Sequence, residues 1–196
     1  MAKSAKTQRT QSDGGFSLIE LMIVVAITMV ILAISIPSLS AALQSFEAGG
    51  DARGIAGQLS LARLRAAANF TQARVNFNLA GGTYQLEVCT PQTGYTCEST
   101  TNPPTWTIDG GVHQLSAKTA FGFGSLTTPA GTQTTITQTN FIVFNSRGIP
   151  VDATNTATGS DAIYLNNQGG TYYAITVSPS SRINVWQLTG STWHQF

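Results

Sequence analysis

The side chains that most often carry catalysis or bind metals are few in this chain, and they are not spaced for either task. Its two histidines, His113 and His194, stand at no metal-ligand spacing from a cysteine or an acid. Residues 122–128, "GFGSLTT", begin like a dinucleotide-binding loop but have Thr127 where the third glycine is needed. No serine has the sequence context of a nucleophile elbow. The sequence therefore predicts a protein that is not an enzyme and that needs no cofactor and no metal ion.

Three aspartates, Asp109, Asp152 and Asp161, fall in stretches that read as turns. Aspartate is common there because its carboxylate caps nearby backbone amides. A Ca²⁺ site at these residues is the less favoured alternative.

The two cysteines, Cys89 and Cys97, enclose the short segment "CTPQTGYTC". Both follow a long apolar run near the N-terminus. If that run exports the rest of the chain, the cysteines reach an oxidising compartment, where two such residues usually pair. We expect a Cys89–Cys97 disulfide, and the alternative is two unrelated buried thiols.

The apolar run extends from Phe16 to Ile36 and is long enough to cross a membrane as a helix. Its 21 residues would span about 30 Å, the thickness of the hydrocarbon core. Three bases and one acid precede it: Lys3, Lys6, Arg9 and Asp13. This placement of charge favours a cytoplasmic N-terminus, with the remainder of the chain outside.

Two ordinary explanations of this segment leave features unaccounted for. A secretory signal would have a shorter apolar core followed by small residues at the cleavage site, whereas Gly14 and Gly15 precede the core here. A plain signal anchor accounts for the length and the orientation. It does not account for Glu20, since a carboxylate within a membrane costs roughly 2.5–3.5 kcal/mol on insertion scales.

Residues 14–27, "GGFSLIELMIVVAI", resemble the type IV prepilin signal shared by type IV pilins and type II secretion pseudopilins. The resemblance implies cleavage between Gly15 and Phe16 by a prepilin peptidase, which also N-methylates Phe16. It further implies that Glu20, fifth in the mature chain, pairs with a positive N-terminal amine during assembly. Pairing would offset part of the desolvation cost, and an unpaired Glu20 would penalise incorrect register. The alternative is a protonated glutamate packed in the membrane without a role.

Helix-like sequence continues past Pro37, where we predict a break or kink, to Phe70. Glycines at positions 49, 50 and 54 predict a bend or fraying. Beyond them the apolar residues form two stripes on roughly opposite sides of the helix. The first stripe comprises Ile55, Leu59, Ala62 and Ala66, and the second comprises Leu61, Leu64 and Ala68. We predict that one face packs on the protein's own sheet and the other on neighbours. The alternative is a helix wholly enclosed by its own domain.

The remainder predicts β-structure. Candidate strands are 73–79, 84–88, 105–108, 112–116, 134–144, 161–165, 171–177 and 182–188. Turns are expected at 80–82, 166–170 and 189–191, and loops at 98–104 and 152–160.

A long helix followed by antiparallel strands resembles the GspH/FimT group of minor pseudopilins and minor pilins. The matching segments are "LSLARLRAAA" leading into "ARVNFNL", then "FIVFNSRGIP", then "AIYLNNQGGTYYAITVSPSSRINVW". The resemblance implies an α+β pilin-like fold and a structural subunit of a type II secretion pseudopilus or type IV pilus. It implies four parts: a cleaved leader at 1–15, a transmembrane and assembly helix at 16–36, its amphipathic continuation at 37–70, and a periplasmic head at 71–196. The expected partners are the inner membrane, the prepilin peptidase and N-methyltransferase, and other pilin or pseudopilin subunits.

The alternative function is a FimT-like minor pilin that binds DNA for natural transformation. This group often ends its last hairpin turn in Gly-Arg, whereas Ser181 precedes Arg182 here. Arg182 is the only base after Arg147, and the whole chain carries a net charge of +1. Because DNA affinity depends on the number of phosphates neutralised by Lys and Arg, we expect weak duplex binding at most, with Arg182 as the candidate contact.

The surface composition fits a subunit that packs beside relatives of itself. Charged residues make up 10% of the chain, against roughly 25% in average soluble proteins. Such a surface has few charges to repel a neighbour.

Overall fold

The computed structural model describes residues 15–91, 97, 104–152 and 154–196. The chain divides into two compact units, Met1–Ser40 and Ala41–Phe196. Most of the predicted leader, 1–15, and most of the predicted loop 98–104 lie outside the described residues.

One helix, α1, spans Leu18–Ala68 and contributes to both units. It is assigned without interruption through Pro37 and the three glycines, so the predicted break at Pro37 is absent. A proline inside a helix removes a single backbone hydrogen bond, and the bonds on either side hold the turn. The helix ends where Phe70 adopts a φ of 51° and Thr71 N donates to Ala66 O at 3.1 Å. That bond closes the last turn as a C-terminal cap and turns the chain into the first strand.

Ten strands follow and form two antiparallel sheets. They are β1 Ala73–Asn78, β2 Thr83–Thr90, β3 Thr105–Gln114, β4 Thr119–Phe121, β5 Phe141–Phe144, β6 Pro150–Val151, β7 Asp161–Asn167, β8 Tyr172–Val177, β9 Ile183–Thr189 and β10 Thr192–Gln195. The first sheet has the order β3-β2-β1-β5-β6 and the second β10-β9-β8-β7-β4. The fold is therefore α+β, a long helix followed by antiparallel sheets, as the sequence predicts.

The main core lies between α1 and one face of each sheet. Alternation in β1 directs Ala73, Val75 and Phe77 into it, and Val75 pairs with Leu86 of β2. In the second sheet, Ile163 and Leu165 of β7 are fully buried in the same cluster. This core fixes the helix to both sheets within the second unit.

The outer face of the second sheet is covered by the segment 122–140. Tyr164 is fully buried there, and its hydroxyl accepts from Ala130 N at 3.0 Å and donates to Gln133 Oε1. Ala162 and Ala174 belong to the same cluster, with Trp193 packed against it. Residues 162–165 of β7 are consequently buried on both faces, which explains why its sequence is apolar throughout.

The strand predictions need three corrections. The predicted strands 105–108 and 112–116 form one strand, β3, which continues through Gly110 with a φ of 104° and ends at Gln114. Only Phe141–Phe144 of the predicted strand 134–144 is a strand. Before it, the Gln138 side chain makes the bonds that a strand backbone would make: its Oε1 accepts from Tyr164 N at 3.0 Å. The short strands β4, β6 and β10 were not predicted, because two to four residues carry too little alternation to detect.

Candidate functional site

The predicted processing residues stand at the exposed start of α1. Gly15, Phe16 and Ser17 precede the helix, and Phe16 is 85% exposed. Ser17 Oγ accepts a hydrogen bond from Glu20 N at 3.2 Å, so Ser17 caps the helix. The Ser-x-x-Glu spacing of a capping box is present in the sequence and could have revealed this cap. Gly15 and Phe16 thus form an accessible peptide bond next to a well-defined helix start.

An 18-residue stretch in the N-terminal part of α1 is apolar and long enough to cross a membrane, by length and composition, and none of it is buried. Two polar residues in this part of α1 form hydrogen bonds from their hydroxyl groups to backbone carbonyls of the preceding turn. Thr28 Oγ1 donates to Val24 O at 2.7 Å, and Ser35 Oγ donates to Ile31 O at 2.9 Å. Such bonds to the preceding turn let hydroxyls enter an apolar medium.

Glu20 differs from these hydroxyls. Its side chain forms no hydrogen bond and no ion pair with any of the residues that the structure describes. Glu20 is the acidic residue of the first turn of α1, and its side chain is exposed.

In the second unit, α1 has two faces of opposite character. The buried face comprises Ala48, Gly49, Ala52, Ile55, Leu59, Ala62 and Ala66. The opposite side, which we call the exposed helix face, comprises Leu43, Phe46, Gly50, Gly57, Leu61, Leu64 and Ala68. Leu64 is 61% exposed and Phe46 is 77% exposed. The predicted stripes are both present, and the alternative of a wholly enclosed helix is wrong.

Two glycines on the exposed helix face have no explanation within the chain itself. A Cβ added to Gly50 or Gly57 would meet nothing within 4 Å. Neither residue has the positive φ that requires glycine. Each costs the helix about 1 kcal/mol relative to alanine. Small residues on an open helix face permit the backbone of another helix to approach closely.

The cysteines and Arg182 lie far apart in the sheet arrangement. Cys89, at the end of β2, and Cys97 form the predicted disulfide, with their Cα atoms 6.1 Å apart. Arg182 is exposed in the turn that precedes β9, where its backbone N–H donates to Ser178 Oγ at 3.0 Å. Ser181 has a φ of 61°, in the left-handed region that favours glycine.

Asp109 and Asp161 lie in strands, β3 and β7, and not in the turns expected for them, and His113 lies in β3. His113 stacks on Tyr84 and bonds to Gln58 of α1 at 2.9 Å. Asp109 pairs with Arg65 at 2.8 Å. Burial, with repulsion from Asp152, raises the pKa of Asp161 despite a hydrogen bond from Thr139 that favours the charged form. Over the described residues, no cluster of three or more His, Cys, Asp or Glu could hold a metal ion.

A polar cluster on the outside of the first sheet was not predicted. Arg74 and Glu87 are cross-strand neighbours, and Arg74 Nε donates to Glu87 Oε2 at 2.6 Å. The guanidinium lies over the Trp106 ring, 4.1 Å from its centroid. Asn76 and Gln85 also donate to Glu87. Burial opposes ionisation, but these donors hold the pKa of Glu87 below its usual value.

Comparison with known proteins finds a motif in the N-terminal segment that contains Gly15, Phe16 and Glu20. Residues 11–36 match the family model described as the prokaryotic N-terminal methylation motif. No curated protein matches the sequence. The motif lies at the start of the long helix α1, which leads into the antiparallel sheets.

Two solved structures resemble the chain at low similarity, and both are of the minor pseudopilin EpsH from the type II secretion system of Vibrio cholerae. The first has 13% identity and a TM-score of 0.46, and the match covers 74% of this chain and 99% of that one. The second has 12% identity and a TM-score of 0.43, with 71% and 92% covered. These values are too low to carry a functional conclusion.

Proposed function

We propose that this pilin-like chain is a structural subunit, of the minor kind, in a type II secretion pseudopilus or type IV pilus. In this proposal a prepilin peptidase cuts between Gly15 and Phe16 and Phe16 is N-methylated. Residues 16–36 hold the subunit in the inner membrane, with the N-terminus cytoplasmic and residues 71–196 in the periplasm. The role is structural, and no catalytic step is assigned to the chain.

The observation that carries the proposal is the pairing of the methylation motif with a second apolar face on the same helix. A helix on the surface of a monomer needs one apolar face. Here α1 buries one face against its own sheets and exposes Leu61 and Leu64 on the other. An exposed apolar patch of this kind marks a surface that another protein covers. The motif identifies that protein as a neighbouring subunit.

The N-terminus of the mature protein tests the proposal directly. Mass spectrometry of chain extracted from the membrane should show an N-terminal peptide that begins with a methylated Phe16. The variant Gly15→Leu should remain unprocessed, because the bond no longer presents the small residue before the cut. A mature chain beginning at Met1, or after Ile36, would contradict the proposal.

The role proposed for Glu20 is tested by separating its charge from its position in the helix cap. Glu20→Gln retains a polar side chain, removes the charge, and leaves the backbone bond to Ser17 in place. We expect the variant to insert in the membrane but to co-assemble poorly with partner subunits in a crosslinking assay. Ser17→Ala is the matched control, since it removes the cap and leaves the carboxylate. Normal co-assembly of Glu20→Gln would show that the charge is not needed.

DNA binding remains the less favoured function. Arg65 and Arg74 are each paired with an acid of the same chain, which reduces the charge they offer to phosphates. We expect binding to duplex DNA no tighter than about 10⁻⁴–10⁻⁶ M at physiological salt.

A further inference from the structure

Three chain segments that are distant in sequence meet at an open depression of about 340 Å³ in the second unit. The helix contributes Arg63, Leu64 and Ala67. The turn between β5 and β6 contributes Arg147 and Gly148, and the turn before β9 contributes Ser180 and Ser181. We call this the arginine pocket. No acid lines it.

Arg147 is presented by a rigid turn. Asn145 Oδ1 accepts from Arg147 N at 3.0 Å and from Ile149 N at 3.1 Å, and Gly148 N donates to Asn145 O at 2.8 Å. Gly148 has a φ of 73°, and a Cβ there would lie 3.0 Å from Arg63 Cγ. The turn therefore packs directly on the stem of Arg63. Within the described residues, the Arg147 guanidinium has no hydrogen bond and no ion pair.

The Arg63 guanidinium is held by the turn before β9. Its Nη1 donates to Ser181 O at 2.8 Å, and Ser181 N donates to Ser178 O at 2.8 Å. A guanidinium has five donors in a fixed plane. A bond to a carbonyl orients that plane, and no carboxylate among the described residues neutralises its charge.

The wall beside the two arginines is apolar and belongs to the exposed helix face. Leu64, which is 61% exposed, lines the arginine pocket and also belongs to the exposed helix face. Arginine next to an exposed aliphatic side chain is characteristic of protein–protein interfaces, where a dry centre adjoins charged groups.

We propose that the arginine pocket receives an aspartate or glutamate side chain of a neighbouring subunit, whose adjoining apolar residue covers Leu64. The inference rests on the proposed function, since it names the group that a neighbouring subunit places beside the exposed helix face. Guanidinium groups match carboxylates in a paired, planar geometry. A carboxylate is preferred to DNA as the ligand because the pocket is small, has an apolar wall, and lies in a unit whose Arg65 and Arg74 are already paired.

Zero-length coupling in cells tests this proposal with the full-length protein. Arg147→Lys keeps the positive charge and places a primary amine in the pocket. Treatment of membranes with a water-soluble carbodiimide joins that amine to a carboxylate only when the two are in contact. We expect mass spectrometry to find position 147 coupled to an Asp or Glu of another subunit that carries the N-terminal methylation motif, or of a second copy of this chain. Wild-type chain and Arg53→Lys, whose parent side chain lies over the Phe196 ring, are the controls and should lack this product.

The loss of the charge provides a quantitative second measurement. Arg147→Ala should reduce recovery of the subunit complex about tenfold, the effect of losing one charged hydrogen-bonded pair. A photoreactive amino acid in place of Leu61 reports in parallel whether the helix face still meets neighbours. If the Leu61 crosslink persists while position 147 couples to no intersubunit carboxylate, the pocket proposal fails and the proposed function stands. If both products are absent, the proposed function fails, and the pocket proposal fails with it.

Titration with labelled duplex DNA tests whether the pocket binds phosphate groups of DNA in place of a carboxylate. Submicromolar binding by full-length protein at physiological salt, abolished by Arg147→Ala, would overturn the proposal and assign the pocket to phosphate. Binding no tighter than about 10⁻⁴–10⁻⁶ M and unaffected by Arg147→Ala is the expected result.

Discussion

The exposed helix face and the outer face of the first sheet are both open surfaces of the same unit, but they are completed in different ways. On the sheet, Glu87 is 5% exposed and receives hydrogen bonds from Arg74, Asn76 and Gln85. The helix face presents Phe46 and Leu64 without partners of comparable size among the described residues. The polar groups of this sheet cluster are paired with one another and serve the stability of the chain, while Ile108 and Phe141 beside them are 50% and 41% exposed. The helix surface leaves apolar area uncovered, so its residues serve contact with another molecule.

Of the substitutions on these two surfaces, Glu87→Gln is expected to have the largest effect on stability. The change removes the charge that pairs with Arg74, which is itself mostly buried. We expect a loss of about 1.5–3 kcal/mol in the free energy of unfolding, the value of hydrogen bonds to charged groups. Chemical denaturation of the full-length chain in detergent measures it. Glu47→Gln, at an exposed helix position, is the control and should change stability little. Equal effects of both substitutions would remove the distinction between the two surfaces.

The same ion pair predicts a pH dependence. The folded-state pKa of Glu87 lies below the unfolded value near 4.5. The stabilisation is therefore complete above that pH, and it is lost as the pH falls through the folded-state pKa. The stability difference between wild type and Glu87→Gln should shrink below pH 4.5, so that the two curves converge in acid. A difference that stays constant with pH would show that charge is not its origin.

Gly57→Ala should act in opposite directions on stability and on assembly. The added methyl meets nothing within 4 Å, so the free energy of unfolding should rise by about 0.8–1.0 kcal/mol from helix propensity. The same methyl should obstruct a neighbouring helix and lower the yield of the intersubunit crosslink. Gly49→Ala is the matched control on the buried face, where the added carbon makes an ordinary contact, 3.5 Å from the Tyr173 hydroxyl. Undisturbed assembly of Gly57→Ala would show that this glycine is not at a close contact.

The smallest effect on stability is expected for Leu64→Ala. Its side chain is largely exposed, and such substitutions usually change the free energy of unfolding by less than about 0.5 kcal/mol. Leu59→Ala, on the fully buried face of the same helix, should cost about 2–5 kcal/mol. The informative measurement is assembly, which Leu64→Ala should reduce although folding is intact. A large loss of stability in Leu64→Ala would place this residue in the chain's own core.

Prediction from sequence succeeded where a pattern is local and failed where a contact joins distant segments. The stripes of α1 follow from a fixed turn per residue, which correctly puts Leu59 and Leu64 on opposite faces, and the structure shows that Leu59 is the buried one. The predicted strand 134–144 was too long, because the Gln138 side chain, and not a strand backbone, makes the hydrogen bond to β7. The alternating sequence of residues 134–140 is the same whether the backbone or a side chain makes this bond.

The sequence by itself determined the methylation motif, the length of the apolar segment and the two faces of the helix, because each depends on neighbours within a few turns. Only the tertiary structure decided which charges are neutralised. The sequence does not tell Arg74 and Arg147 apart as charges, yet one is paired across strands with Glu87 and the other borders an open pocket with Arg63. Electrostatic interactions fall off with distance in space and not along the chain, so the register of the strands and the packing of turns on the helix decide them.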